Sequence, residues 1–253
     1  MLKKSNTKSR VIVVMPAYNA AKTLKKTFND LPKDIVSEVI LVDDKSSDNT
    51  VAIAKQLGIT VITHNKNLGY GGNQKTCYKE ALARRADIVV MIHPDYQYDA
   101  TQVGALIAPI QMGKYDMMFG SRIRTRQEAL NGGMPLIKYF FNRIFCIAEN
   151  IILGANFTEY FSGMRAYSKK FLMTISYDHF SDDFVFDQQC MLVGYALGFR
   201  IGEINIPVRY FSESSSIHFT KGAKFLSETA FLLVRFLLFK LGYTDKLFII
   251  TKR

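Results

Sequence analysis

Two clusters of polar residues follow buried-strand runs near the start of the chain. The run VIVVM ends on Pro16, Ala17, Tyr18 and Asn19, and the run SEVILV ends on Asp43 and Asp44, followed by KSSDNT. Helical sequence follows each cluster, a pattern typical of a parallel α/β sheet. Ligands of such sheets bind at the carboxyl ends of the strands. We therefore expect both clusters to line one crevice.

Two further polar motifs follow the next strand runs: NLGYGGN at 67–73, and HPDYQ at 93–97, which closes the run IVVMI. In this order the four motifs resemble the nucleotide-sugar half of the family-2 glycosyltransferases. The resemblance implies an α/β, Rossmann-like GT-A fold, with a mixed, mostly parallel sheet and flanking helices. The glycines form no dinucleotide fingerprint, because that motif would follow the first strand.

The resemblance implies a nucleotide-binding set made of Pro16, Ala17, Tyr18, Asn19, Asp43, Asp44, Gly69, Lys75, Pro94 and Asp95. Carboxylates accept hydrogen bonds from base N–H groups and ribose hydroxyls, which suits Asp43 and Asp44. The alternative is that Asp44 and Asp48 only cap the following helix. Glycines permit close backbone approach to a ligand, although an ordinary turn would use them too. Lys75, just inside a helix predicted over residues 73–85, would face a phosphate or water.

The motif at 93–97 predicts a divalent metal, Mg²⁺ or Mn²⁺, because these ions prefer oxygen ligands. The family's Asp-X-Asp motif is here His93-Pro94-Asp95, so only the second acidic position is retained. In an extended chain Asp95 and Gln97 point the same way and could bind one ion. For His93, a packing role and a functional role are both open.

The remaining site predictions concern the leaving phosphates and the acceptor. Arg122 matches a family position that faces the phosphates, where a guanidinium would offset charge. Ser162 and Arg165 lie in a segment that resembles the acceptor side. For a hydroxyl acceptor, Asp187 or Asp183 would be the general base. The polyprenyl-phosphate enzymes of the family carry Gly-X-Ser-Lys in a later loop that here reads FSESSSI, and Arg209 is the predicted substitute.

The net charge of +11 favours anionic partners: a membrane surface, phosphorylated small molecules or nucleic acid. We exclude nucleic acid, because the aromatic residues lie in apolar runs and are not interleaved with basic ones. Three widely spaced cysteines predict neither disulfides nor a metal site, and thus a reduced, cytosol-facing protein. The sequence predicts neither a signal peptide nor a membrane span.

Two segments predict helices with a wide apolar face. In residues 136–153 apolar side chains recur at helical spacing, and in 216–253 a thin charged stripe crosses apolar sequence: Lys221, Lys224, Glu228 and Arg235. Such helices are buried or lie in a membrane interface, and we favour the interface. We assign 1–215 to the GT-A domain, with 136–155 as an amphipathic helix within it, and 216–253 to a C-terminal amphipathic segment. Residues 123–135 are predicted to form a loop.

Together these features predict a peripheral enzyme on the cytoplasmic face of the membrane. It would move a sugar from a nucleotide-sugar donor to a polyprenyl phosphate by metal-assisted, inverting displacement. The alternatives are transfer to a polysaccharide or protein hydroxyl, and a non-catalytic nucleotide-sugar-binding subunit. A homo-oligomer or a membrane-protein partner is also open.

Overall fold

The computed structural model describes residues 9–123, 125–209 and 219–248. Its strands are β1 (Val11–Ala17), β2 (Glu38–Asp43), β3 (Thr60–Thr63), β4 (Ile88–Met91), β5 (Met117–Ser121), β6 (Arg165–Ser168) and β7 (Ile201–Asn205). Across this described part of the chain they form one seven-stranded sheet, in the order β3-β2-β1-β4-β6-β5-β7. Strand β6 is antiparallel to β4 and β5, and the other pairs are parallel. The predicted mixed, mostly parallel sheet is confirmed.

The helices are α1 (Leu24–Asn29), α2 (Thr50–Gln56), α3 (Gly69–Ala83), α4 (Val103–Gln111), α5 (Arg126–Asn131), α6 (Leu136–Leu153), α7 (Lys169–Thr174), α8 (Phe186–Ala196) and α9 (Phe219–Lys240). Strand β1 is buried on both faces: Val13 packs in a core with residues of α1, α2 and α4, and Val14 packs in a core with residues of α3, α7, α8 and α9. Such double burial gives a strand a continuous apolar run. The sheet is therefore sandwiched between two helical layers.

Two predicted boundaries are corrected. Helix α3 begins at Gly69, so the glycine motif forms its first turn and the predicted start at residue 73 was wrong. The segment 123–135, predicted as a loop, contains α5. Thr125 caps this helix by accepting a hydrogen bond from the backbone N–H of Glu128 at 3.1 Å. The sequence Thr-x-x-Glu is the signature of such a cap.

Helix α6 turns its apolar side outward. Its buried positions include Asn142 and Glu149, whereas Ile137, Phe140 and Ile151 are 66%, 60% and 76% exposed. Helix α9 buries one apolar stripe and exposes another, which contains Phe231, Val234, Leu237 and Leu238. Within the described ranges no helix is long and apolar enough to cross a membrane.

The predicted boundary between 215 and 216 lies outside the described residues. C-terminal to this boundary, Leu232 and Phe236 of α9 pack in the same core as residues of α3 and α8. The division into two segments stays a prediction.

Candidate active site

Hydrogen bonds join the loops after β1 and β2 into one wall of the candidate site. The backbone N–H of Asn19 donates to Ser46 Oγ at 2.8 Å, and the Asn19 side chain accepts from the backbone N–H of Ser47 at 2.9 Å. Pro16 and Ala17 lie opposite Val42 and Asp43 in the sheet register. Tyr18 is exposed beside them. The first two predicted clusters thus lie together, as expected.

Asp43 presents a buried carboxylate oxygen without a partner. The residue is 2% exposed, and its Oδ2 accepts from the backbone N–H of Ser46 at 3.0 Å. Its Oδ1 has no hydrogen-bond partner among the residues that the structure describes. A buried polar atom left unpaired destabilises a fold, so it marks a place where a ligand would complete the bonding.

Three groups of the protein already contact the Asp44 carboxylate. The carboxylate lies 2.8 Å from His64 Nδ1 and accepts from the backbone N–H groups of Leu68 at 2.8 Å and Gly69 at 3.0 Å. A carboxylate at the first turn of α3 also opposes the positive end of the helix dipole. Asp44 therefore binds the first turn of a helix, as the capping alternative expected. The helix is α3, which follows β3, rather than α2, which follows β2.

The glycine motif makes room for the protein's own backbone. A Cβ at Gly69 would lie 2.6 Å from the carbonyl oxygen of Asp182, and the Gly71 N–H donates to that oxygen at 2.8 Å. Lys75 donates to the Asp182 carboxylate at 2.7 Å. The close approach that these glycines permit thus joins the start of α3 to the segment before α8, while nucleotide binding by Gly69 and Lys75 stays a prediction.

Asp95 lies after β4 in a tight turn. Its Oδ1 accepts from the backbone N–H of Gln97 at 3.0 Å, and the carbonyl of Pro94 accepts from Thr23 Oγ1 at 2.6 Å. No group of three or more His, Cys, Asp or Glu side chains gathers around a point in the described residues. The extended chain on which the shared direction of Asp95 and Gln97 depended is absent, because Tyr96 between them has a φ of 59°. The two residues still offer the oxygen ligands that an ion such as Mg²⁺ prefers, commonly with substrate phosphate and water completing the coordination.

Arg122 is held by a carboxylate that the sequence did not single out. Glu159 is fully buried, and its two oxygens accept from the backbone N–H and the guanidinium of Arg122. The amide of Asn142 in α6 donates to the same carboxylate at 3.1 Å. The positive charge predicted to face the donor phosphates is therefore neutralised inside the protein.

Arg165 is buried and supports Asp187. Its guanidinium donates to the backbone carbonyls of Ser162 at 2.9 Å, Asp187 at 2.9 Å and Tyr160 at 3.0 Å. Ser162 is also buried, with its hydroxyl turned to a backbone N–H. These two residues, predicted on the acceptor side, thus shape the segment that holds Asp187.

The two candidate general bases have different surroundings. Asp187 is 7% exposed; its Oδ2 accepts from the Tyr70 hydroxyl at 2.7 Å, and its Oδ1 has no hydrogen-bond partner in the described chain. Asp183 is half-exposed and pairs with Lys224 of α9 at 2.7 Å. Partial burial raises the pKa of Asp183, but hydrogen bonds from Lys224 and from the backbone N–H of Phe184, with the nearby lysine charges, together lower it, which weakens Asp183 as a base. Asp187 has a cation farther away, with Arg165 Nε 3.9 Å from Oδ1, and is the stronger candidate.

Arg209 lies at the Asp95 turn. Its guanidinium lies over the Tyr96 ring at 4.5 Å, and its backbone N–H donates to the carbonyl of Gln97 at 2.9 Å. The neighbouring segment FSESSSI falls outside the described residues.

Sequence reasoning missed Tyr70 and Glu159. Tyr70 lies within the glycine motif, and the sequence analysis assigned roles there only to the glycines and to Lys75. Glu159 gave no signal beyond a single acidic residue in the run NFTEYF, because its partner lies 37 residues away.

The family model described as Glycosyl transferase family 2 matches residues 12–176. The UDP-N-acetylglucosamine–dolichyl-phosphate N-acetylglucosaminyltransferase of Methanococcus voltae is 29% identical, over 79% of this chain and 86% of that protein. The undecaprenyl-phosphate mannosyltransferase of Micrococcus luteus is 27% identical, over 78% and 82%.

Among solved structures, glucosyl-3-phosphoglycerate synthase from Mycobacterium tuberculosis superposes with a TM-score of 0.72 at 20% identity, over 94% of this chain and 82% of that one. Further structures of that enzyme contain UDP with Mn²⁺ or Mg²⁺. The superposition shows the GT-A fold. The chain belongs to glycosyl transferase family 2, and its relatives include polyprenyl-phosphate sugar transferases.

Proposed function

We propose that this protein transfers a sugar from a nucleoside-diphosphate sugar to a polyprenyl phosphate at a membrane surface. The observation that carries the choice of acceptor is helix α6, which buries Asn142 and Glu149 while Ile137, Phe140 and Ile151 face outward. A helix with an exposed apolar face is stabilised when that face enters a lipid interface. The relatives from M. voltae and M. luteus are named for dolichyl and undecaprenyl phosphate.

The donor would lie across the carboxyl ends of β1, β2 and β4. Asp43 Oδ1 would accept a hydrogen bond from the base, which would satisfy the oxygen that the protein leaves unpaired. Asp95 and Gln97 would hold Mg²⁺ or Mn²⁺, which neutralises the departing diphosphate when bound. Neutralisation of the diphosphate would depend on the metal more than on Arg122, because Glu159 already neutralises the Arg122 guanidinium.

The lipid would lie along α5 and α6. A groove of about 830 Å³ lies between these helices. Most of its lining side chains are apolar, and Arg126 and Arg143 also line it. Apolar walls suit an isoprenoid chain, and arginine suits a phosphate. The net charge of +11 would draw the protein to anionic lipids, and we place it on the cytoplasmic face.

A hydroxyl acceptor is the second candidate, and Asp187 favours it. An alkyl hydroxyl carries a proton that must be removed during attack, and Asp187 Oδ1 is free of hydrogen bonds within the described structure. A polyprenyl phosphate is already largely ionised near neutral pH.

Partition of radiolabelled product tests the proposal. The purified protein is incubated with Mn²⁺, polyprenyl phosphate in vesicles, and UDP-, GDP- or dTDP-sugars in turn. The proposal predicts label in the organic phase with one donor, and loss of that label in Phe140→Glu, whose charge would oppose insertion of α6. Gln56→Glu, at an exposed position of α2, adds the same single negative charge and is the control. Label confined to a water-soluble product would contradict the lipid acceptor.

A further inference from the structure

Tyr70 links two parts of the site that are far apart in sequence. It lies in the first turn of α3, and its hydroxyl is 2.7 Å from Asp187 Oδ2 and 3.0 Å from His93 Nε2. The bond to Asp187 spans 117 residues of chain. The Tyr70 hydroxyl therefore joins the motif at 67–73 to the motif at 93–97 and to the start of α8.

The proton positions in this group follow from what each atom can donate. An ionised Asp187 only accepts hydrogen bonds, and a tyrosine hydroxyl has one proton to give. Because Tyr70 gives that proton to Asp187, its oxygen must accept from His93, which requires a proton on Nε2. Burial, with the negative charge of Asp187 adding to it, raises the pKa of Tyr70 well above its usual value, so the hydroxyl keeps its proton.

The two rings are held by packing. The Tyr70 ring contacts the rings of Phe184 and His93, with centroids 4.8 Å and 5.2 Å away. A Cβ at Gly163 would lie 2.9 Å from His93 Cδ2, so the absence of a side chain there makes room for the imidazole. Packing from three segments thus fixes the Tyr70 hydroxyl in front of Asp187.

We propose that Tyr70 and His93 are positioning residues for Asp187: His93 orients the Tyr70 hydroxyl, which holds Asp187 Oδ2, while Oδ1, 3.9 Å from Arg165 Nε and without a hydrogen bond in the described residues, would bind the acceptor. The proposal rests on the second candidate of the proposed function, the hydroxyl acceptor, whose proton Asp187 would take. It also accounts for the histidine that stands where the family carries an acidic residue. A carboxylate at position 93 would be a second acceptor, and the single proton of Tyr70 cannot serve two carboxylates.

Kinetics of Tyr70→Phe test the role of the hydroxyl, because phenylalanine keeps the ring packing. A hydrogen bond to a charged group corresponds to a loss of roughly tenfold to a hundredfold in kcat, with the donor KM within about twofold of wild type. Because the hydroxyl acts through Asp187, Tyr70→Phe should add nothing in an Asp187→Asn background. An unchanged kcat in the single variant, or additive losses in the double variant, would overturn the proposal.

Variants of His93 test its role as the hydrogen-bond donor to the Tyr70 hydroxyl. Glutamine can place an N–H near the position of Nε2, whereas leucine cannot. His93→Leu should lose as much rate as Tyr70→Phe, His93→Gln should recover most of it, and His93→Asp should be no better than leucine. Equal rates for the glutamine and leucine variants would refute the role of the N–H donor.

A spectroscopic measurement separates this proposal from the proposed function. Imidazole ¹⁵N NMR of the full-length protein should show His93 in the Nε2-protonated tautomer, with a signal that moves in Tyr70→Phe. This holds even if the wild-type protein transfers no sugar to lipid phosphate, a result that would remove the proposed acceptor alone. A His93 protonated only on Nδ1 would overturn the network whatever the activity.

Discussion

Replacement of Glu159 by glutamine should destabilise the protein because no orientation of an amide fits the site. Glu159 Oε2 accepts from the backbone N–H of Arg122 at 2.7 Å, and Oε1 accepts from the Arg122 guanidinium and from the Asn142 amide. Both oxygens therefore face donors. A glutamine side chain would turn its NH₂ group toward one of them in either rotamer, and would remove the negative charge that Glu159 places beside the buried Arg122 guanidinium.

The expected cost follows from the burial of the pair. The Arg122 and Glu159 side chains are 6% and 0% exposed. Removal of one partner of a buried ion pair costs about 3–5 kcal/mol. For a chain of this size each kcal/mol corresponds to roughly 2–4 °C in Tm, so we expect a loss of about 6–20 °C.

Urea unfolding and thermal melts of Glu159→Gln measure this cost. Glu80→Gln is the matched control, because Glu80 pairs with Arg84 at a partly exposed i,i+4 position, where a pair contributes about 0.3–0.5 kcal/mol. Equal stability of the two variants would show that the buried pair of Arg122 and Glu159 stabilises the fold no more than an exposed pair does. It would also return Arg122 to the role predicted from sequence, as a guanidinium available to the donor phosphates.

Three further predictions concern the donor, the metal and the C-terminal helix. Asp43→Asn places an amide NH₂ toward the base N–H, so calorimetry should show donor affinity reduced roughly tenfold to a hundredfold with the fold retained; unchanged affinity would exclude Asp43 from base recognition. Asp95→Ala should abolish transfer and the Mn²⁺ dependence of donor binding, and an active variant would remove Asp95 from the metal site. The Arg235 hydrogen bond lowers the pKa of Asp245, so this pair stabilises the fold above the carboxyl's unfolded-state pKa, and the stabilisation is lost as the pH falls through the lower folded-state value. The difference in unfolding free energy between wild type and Asp245→Asn should accordingly be largest near neutral pH and vanish in acid, and a difference independent of pH would contradict the assignment.

The sheet and its loops could be predicted from sequence because local patterns determine them. Runs such as VIVVM and IVVMI are apolar throughout, as strands buried on both faces require, and the polar residues that end them mark one edge of the sheet. The bounds of α6 were also predictable, because its apolar residues recur at helical spacing and Gly154 ends it with a φ of 66°. The short helix α5 was missed although Thr125 and Glu128 carry a capping signature.

The assignment of polar side chains could not be predicted in the same way, because it depends on residues distant in sequence. Glycines at 69 and 71 predict close backbone approach, but not whether a ligand or the carbonyl of Asp182 approaches. An arginine at the end of β5 is compatible with phosphate binding until Glu159 is found beside it. The general base was left between Asp183 and Asp187, and the ion pair of Asp183 with Lys224 distinguishes them.

A crystal structure of the protein with UDP and Mn²⁺ would show directly whether the donor binds at the proposed edge of the sheet. We expect the diphosphate at the carboxyl ends of β1, β2 and β4, with the base within hydrogen-bond distance of Asp43 Oδ1 and the metal bound to Asp95. Nucleotide bound at another place, or a metal with no contact to Asp95, would contradict this expectation.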